Sequence, residues 1–250
     1  MMTKNIQHRS NSSPFGGGRI DAEKSIRGRI NTKLKMNHSV KPNIEPPFKI
    51  VNNYRLYDFK KSWAYLEFLG REKFGPKFKL QESDRDIIYK LFIYFIGDEE
   101  NCKKHGLELD KGILLNGPVG CGKTSLMHLM KKFAFPNSYA VKSTREIAAE
   151  FNQFGYSVIL KYGKTPKRIY CFDDLGVENN MKYYGTECNT ISEILLQRYD
   201  LNLIDGTVTH ATTNLNAEEL EKLYGNRVRS RMRELFNLIS FDRDVGDKRR

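Results

Sequence analysis

The run "GPVGCGKT", residues 117–124, sets glycines before a lysine and a hydroxyl at a spacing that suits phosphate. Glycines let successive backbone N–H groups turn inward around an anion, and a helix starting at the lysine adds the positive end of its dipole. Lys123 would give a point charge to the outer phosphates of a nucleoside triphosphate, and Thr124 a hydroxyl to Mg²⁺. The expected nucleotide contacts are therefore Gly117, Pro118, Val119, Gly120, Cys121, Gly122, Lys123, Thr124 and Ser125. A second run, "RIYCFDDLGVE" (168–178), closes an apolar stretch with two acids. Asp173 is expected to hold the metal. Asp174 is expected to orient or deprotonate the attacking water, with Glu178 four residues on as a competitor. A third run, "ATTNL" (211–215), ends another apolar stretch. Asn214 is the expected water-orienting group there, with Thr213 second. The cofactors these residues call for are ATP and Mg²⁺.

Such residues need strands to hold them at one sheet edge. The sequence predicts strands at 112–116, 138–142, 168–172, 207–213 and 237–241, and helices at 124–133, 144–155, 190–202 and 217–225. Alternating strand and helix predicts an α/β fold with a parallel sheet covered on both faces. The first of these strands runs straight into the glycine loop, and the loop into a helix, which is the context a phosphate loop requires. Upstream, "ESDRDIIYKLFIYFI" predicts a helix capped by Ser83, with Asp86 completing the box. Its residues Ile87, Leu91, Phe95 and Ile88, Phe92, Ile96 recur at i+4 and predict one broad buried face.

The stretch "NRVRSRMRELF" (226–236) alternates four arginines with smaller residues. On a helix, Val228, Met232 and Leu235 make one apolar stripe at i, i+4, i+7. Arg227 and Arg231 then flank it on one side, and Arg229 and Arg233 on the other. At least one of them is expected to meet a phosphate.

The chain has 250 residues and a formal net charge of +12, which points to an anionic partner, nucleic acid first. Residues 1–50 carry ten Lys/Arg against three Asp/Glu, so +7 of that charge lies in one fifth of the chain. This segment reads as a basic flexible arm, partly disordered. Residues 51–80 interleave aromatics with lysine and arginine and read as a small aromatic-rich helical region. Residues 81–250 would form the nucleotide domain. The four cysteines show no zinc spacing and read as reduced thiols. No signal-peptide core or membrane-length apolar run is present, so a cytoplasmic protein is expected.

Together, "GPVGCGKT", "CFDDLGVE", "ATTNL" and "YGNRVRSRMRELF" resemble, in order and spacing, the DnaC-type helicase loaders and the related IstB-type transposition proteins, both AAA+ ATPases. The resemblance spans about residues 105–250. It implies a five-stranded sheet in the order 5-1-4-3-2 and an ATP site shared between neighbouring subunits of a ring or spiral. It implies that Arg231 is the arginine finger reaching the next subunit's γ-phosphate. It also implies that Arg249 or Arg250 senses nucleotide within the same chain. Single-stranded DNA and a replicative DNA helicase are the implied partners, a transposase the alternative. Many AAA+ proteins carry Glu at the second acid, where this chain has Asp174, which implies slow hydrolysis stimulated by a partner or DNA. A small-molecule kinase would also use a P-loop, but no lid-like arginine cluster lies between residues 140 and 170. A scaffold that binds nucleotide without hydrolysing it would leave the acids idle.

If the loop reading is right, Lys123→Ala abolishes ATP binding in a fluorescent-nucleotide titration. Retained micromolar affinity would refute it.

Overall fold

Three short runs, 112–116, 170–175 and 209–213, end up with protein on both sides, and that double burial makes them the middle of a five-stranded parallel sheet. The computed structural model describes residues 26–29 and 46–248, apart from 53, 135, 179–180, 184–185 and 243. Arg249, Arg250 and most of the basic segment 1–50 lie outside the described residues.

Strands β1 (Ile26–Arg29), β2 (Phe48–Val51) and β3 (Tyr54–Tyr57) form a small antiparallel sheet of order β1-β3-β2. Helices α1 (Phe59–Phe74), α2 (Arg85–Ile96) and α3 (Glu99–Lys104) follow. Then come β4 (Gly112–Asn116), α4 (Lys123–Met130), β5 (Ala140–Ser143), α5 (Thr144–Phe154), α6 (Tyr156–Gly163) and β6 (Tyr170–Leu175). A short hairpin, β7 (Met181–Tyr183) and β8 (Thr186–Cys188), leads into α7 (Thr190–Asp205). The chain closes with β9 (Thr209–Thr213), α8 (Ala217–Leu235) and β10 (Phe236–Ser240). Helix α6 and the β7–β8 hairpin have no counterpart in the sequence reading.

All four pairings of the main sheet are parallel, in the order β10-β4-β9-β6-β5. Numbered along the chain, that is 5-1-4-3-2, as the resemblance implied. Period-two alternation sends side chains to two cores. Ile113 and Leu115 join α1–α4 on one face, while Leu114 joins α5–α8 on the other. In β6, Cys171 faces the first core and Tyr170 and Phe172 the second.

The aromatics of residues 51–80 pack into the sheet's own core rather than a separate one. Phe92 of α2 holds ring contacts with Tyr57 (5.6 Å), Phe59 (5.5 Å) and Phe133 (5.0 Å). The boundary drawn at residue 80 therefore does not coincide with a break in the core.

The expected cap at Ser83 is corrected. Glu82–Asp84 form a single 3₁₀ turn, α2 starts at Arg85, and its N-cap residue Asp84 makes no side-chain cap bond. The buried Asp84 carboxylate instead accepts from Lys248, whose pairing outweighs a local cap bond. Of the expected face, Ile88, Leu91, Phe92, Phe95 and Ile96 are buried and Ile87 is half-buried. Ile93 and Tyr94 are buried as well, so this end of the helix is enclosed on all sides.

His210 of β9 sits in the first core between the rings of Tyr94, Phe95 and Tyr139. Its Nδ1 accepts the Ile113 N–H at 3.0 Å, which requires a neutral ring. Burial, then the charge of Arg198, pulls its pKa down to about 3. An unfolded histidine titrates near ~6.5, so below that pH the unfolded chain takes a proton that the folded chain refuses. Stability is thus lost as pH falls from ~6.5 toward 3, by about 2 kcal/mol between pH 7 and 5. Chemical denaturation at both pH values should show this loss in the parent and less of it in His210→Gln. Equal losses would remove His210 from the account.

Candidate functional site

The P-loop leaves β4 and wraps back before α4. Gly120 (φ 83°) and Gly122 (φ 103°) hold left-handed backbone that carries no penalty without a Cβ. A Cβ at Gly120 would also lie 2.2 Å from Oδ1 of Asp247. The loop is pinned at both ends. The Gly117 N–H donates to the Thr213 carbonyl of β9 (3.2 Å), and the Lys248 N–H donates to the Gly120 carbonyl (3.1 Å). Lys123 is buried, and its ammonium donates to the carbonyls of Gly117 (2.7 Å) and Pro118 (2.9 Å). Those are loop carbonyls within reach of the same ammonium that would serve a phosphate. Burial raises the Cys121 thiol pKa despite Lys123 nearby, so this loop cysteine stays protonated. Gly117 and Cys121 are buried, Pro118, Gly120, Gly122, Thr124 and Ser125 are half-buried, and Val119 is exposed at the rim.

Asp173 lies in the second half of β6 beside the loop and is buried. Its Oδ1 accepts from two hydroxyls, Thr124 of α4 (3.0 Å) and Thr212 of β9 (2.7 Å). Hydrogen bonds to a charged group stabilise by about 1.5–3 kcal/mol each. A hydroxyl and a carboxylate at this separation fit Mg²⁺ in the manner of P-loop proteins, with Thr124 and Asp173 as the residues to hold it.

Asp174 follows in a bulge: the register of β6 on β9 shifts between Phe172 and Leu175. Its φ is 59°, an uncommon value for a side chain other than glycine. The Asp174 N–H donates to Thr212 Oγ1 (2.8 Å), and its carbonyl accepts from Thr144 Oγ1 (2.8 Å). Thr212 thus serves both acids. Sequence reasoning missed it and chose its neighbours. Thr213 is committed elsewhere, to the Leu175 carbonyl (2.8 Å) and the Leu215 N–H (3.1 Å). Asn214 is half-buried at the strand end, and its side chain makes no hydrogen bond among the described residues. No local sequence signal marked Thr212, since its reach to the acids depends on Ala211 pairing with Phe172 across the sheet.

Glu178 does not compete as a base. Its carboxylate is buried and takes the Gly176 N–H (2.9 Å) and the Tyr224 hydroxyl.

Val228, Met232 and Leu235 are buried as one stripe of α8, and Arg227 and Arg233 are exposed. Arg231 stands over the Tyr199 ring at 4.3 Å and donates to the Tyr199 hydroxyl (3.0 Å) and Glu234 (3.2 Å). Arg229 is half-buried, and burial followed by the Arg233 charge lowers its pKa. The structure therefore brings Lys123, Thr124, Asp173 and Asp174 together, and leaves Arg231 in a separate network with α7. Arg249 is outside the described residues, though its neighbour Lys248 lies on the loop.

A parallel sheet in the order 5-1-4-3-2, with a glycine loop between its first strand and helix, is a P-loop fold with the strand order that the resemblance implied. No protein-family model and no curated protein matches the chain. Solved structures similar to it include the DnaC helicase loader, at 16% identity over 67% of this chain and 94% of that one, with a TM-score of 0.47. DnaI is similar at 23% identity over 66% and 88% of the two chains, with a TM-score of 0.46. AMPPCP-bound DnaA from Aquifex aeolicus is similar at 18% identity over 66% and 48%, with a TM-score of 0.41.

Thr212→Val keeps the shape and removes the hydroxyl shared by both acids. Turnover should fall at least about tenfold, from the two lost bonds, and more than in Asn214→Ala. Steady-state hydrolysis of both variants checks this, and the reverse ranking would return the role to Asn214.

Proposed function

We propose that the chain is an AAA+ ATPase that binds single-stranded DNA and loads or remodels a replicative DNA helicase. The observation that carries the ATPase reading is the convergence of Thr124 and Thr212 on buried Asp173, beside the loop that holds Lys123. In this reading the loop amides and Lys123 bind the phosphates, and Thr124 and Asp173 hold Mg²⁺. The metal, when bound, supplies charge neutralisation to the phosphates. Asp174 orients the water, with its backbone fixed by Thr212 and Thr144. Among the described residues, no hydrogen bond diverts the Asn214 side chain from assisting. The backbone bond of Lys248 to Gly120 supports a nucleotide-sensing role for Arg249 immediately after it.

Arg231 is proposed to act on the ATP of an adjacent subunit in a ring or spiral. Its own ties, to Tyr199 and Glu234, are partly exposed ones, which cost little to exchange for a phosphate. The helicase reading rests on the sequence motifs around "DDLG" and "GNRVRSRMRELF", and the DNA reading on the +12 charge. An IstB-type role with a transposase is the alternative.

The deciding experiment is a pull-down on the full chain, with and without a non-hydrolysable ATP analogue. Hexameric helicase should be retained with the analogue and lost in Lys123→Ala. Retention of a transposase instead moves the chain to the alternative, and ATP hydrolysis with neither retained would overturn both partner readings.

A further inference from the structure

Glu178 is a buried acid that the proposed chemistry does not use. It is 9% exposed, and its two oxygens face in two directions. Oε2 takes the N–H of Gly176, in the turn that follows Asp174. Oε1 takes the hydroxyl of Tyr224, which is 6% exposed and closes the first half of α8. Burial, then the Glu178 charge, pushes the Tyr224 pKa far up, so the hydroxyl keeps its proton and remains the donor.

Each end of this pair meets unusual backbone. On one side is the Asp174 turn, with its φ of 59° and its slipped register on β9. Sparsely populated backbone of this kind persists where surrounding bonds over-determine it. Thr212 and Thr144 bind the turn from β9 and α5, and Glu178 binds its far end. On the other side is Gly225, directly after Tyr224, where φ 82° and ψ 161° break α8. Beyond the break runs the half-helix that carries Arg227, Arg229, Arg231 and Arg233. Leu223 adds a second tie, since its carbonyl accepts from Asn189 (3.2 Å). The first half of α8 is therefore fixed, and the break gives the second half its own direction.

We propose that Glu178 and Tyr224 are positioning residues, a latch that ties the Asp174 turn to the hinge at Gly225. The acid end of the site and the arginine-bearing half-helix then keep one relative geometry. The catalytic consequence rests on the ATPase reading above, whereas the latch itself does not.

The test uses the full chain and two variants. Tyr224→Phe keeps the ring and loses the hydroxyl. Glu178→Met keeps the length of the side chain and loses both acceptor oxygens. In both, amide hydrogen exchange should rise about tenfold at 174–178 and at 226–233 together, while β4 and β9 stay protected. In the same variants kcat for ATP hydrolysis should fall about tenfold with KM within about twofold, and the double variant should be no worse than Glu178→Met alone. Exchange that rises on one side alone, or on neither, overturns the latch. So does a double variant whose losses multiply. A parent that neither binds nor hydrolyses ATP sinks the functional reading instead, and the exchange measurement then decides the latch by itself.

Discussion

A carboxylate buried in the second half of a parallel strand is the constraint around which this molecule is arranged. Buried there, the Asp173 side chain needs hydrogen-bond donors, because a buried polar group left unpaired costs free energy. Its donors come from two other elements, the helix after the P-loop and the strand β9. Those bonds form only if β4, β9 and β6 lie side by side, which is the middle of the observed sheet. Strand order and site chemistry thus have one cause. The loop is held by the same neighbours, with Gly117 bonded to Thr213 and Asn116 bonded to the Leu215 carbonyl (2.6 Å).

Polar groups also close the ends of the sheet. Asn237 of β10 accepts the Glu108 N–H (2.9 Å) and donates to the carbonyls of Glu108 (2.7 Å), Lys111 (3.1 Å) and Gly112 (3.1 Å). One side chain thereby satisfies the backbone where the chain enters β4, a region that would otherwise leave buried carbonyls unpaired. At the opposite edge Lys248 pairs with Asp84, bringing the segment after β10 onto both the start of α2 and the P-loop.

Much of the fold could be read from local signals. The strand "GILLN" is β4 to the residue, because it is an apolar run ended by a glycine loop. The Val228, Met232, Leu235 stripe was visible from 3.6-residue periodicity, and so was the end of the preceding helix at Gly225. What stayed hidden depends on contacts between distant residues. Thr212 looks like any strand threonine until β6 bulges beside it. Glu178 looks like a free acid until Tyr224, 46 residues on, is folded against it. Ser83 fits a capping pattern, but Asp84 answers to a lysine 164 residues away. The aromatic segment 51–80 was read as a small helical region, yet sequence could not say that Tyr57, Phe59 and Leu66 join the sheet's own core.

That shared core has a mechanical side. Tyr57 ends β3 of the antiparallel sheet, and its ring touches Phe92 and, at 5.8 Å, Phe133 at the end of the P-loop helix segment. Tyr65 reaches Phe133 as well, at 6.2 Å. Close-packed rings transmit displacement rather than absorb it. Displacing the small sheet would therefore press on Phe133, just beyond the helix that starts in the phosphate loop.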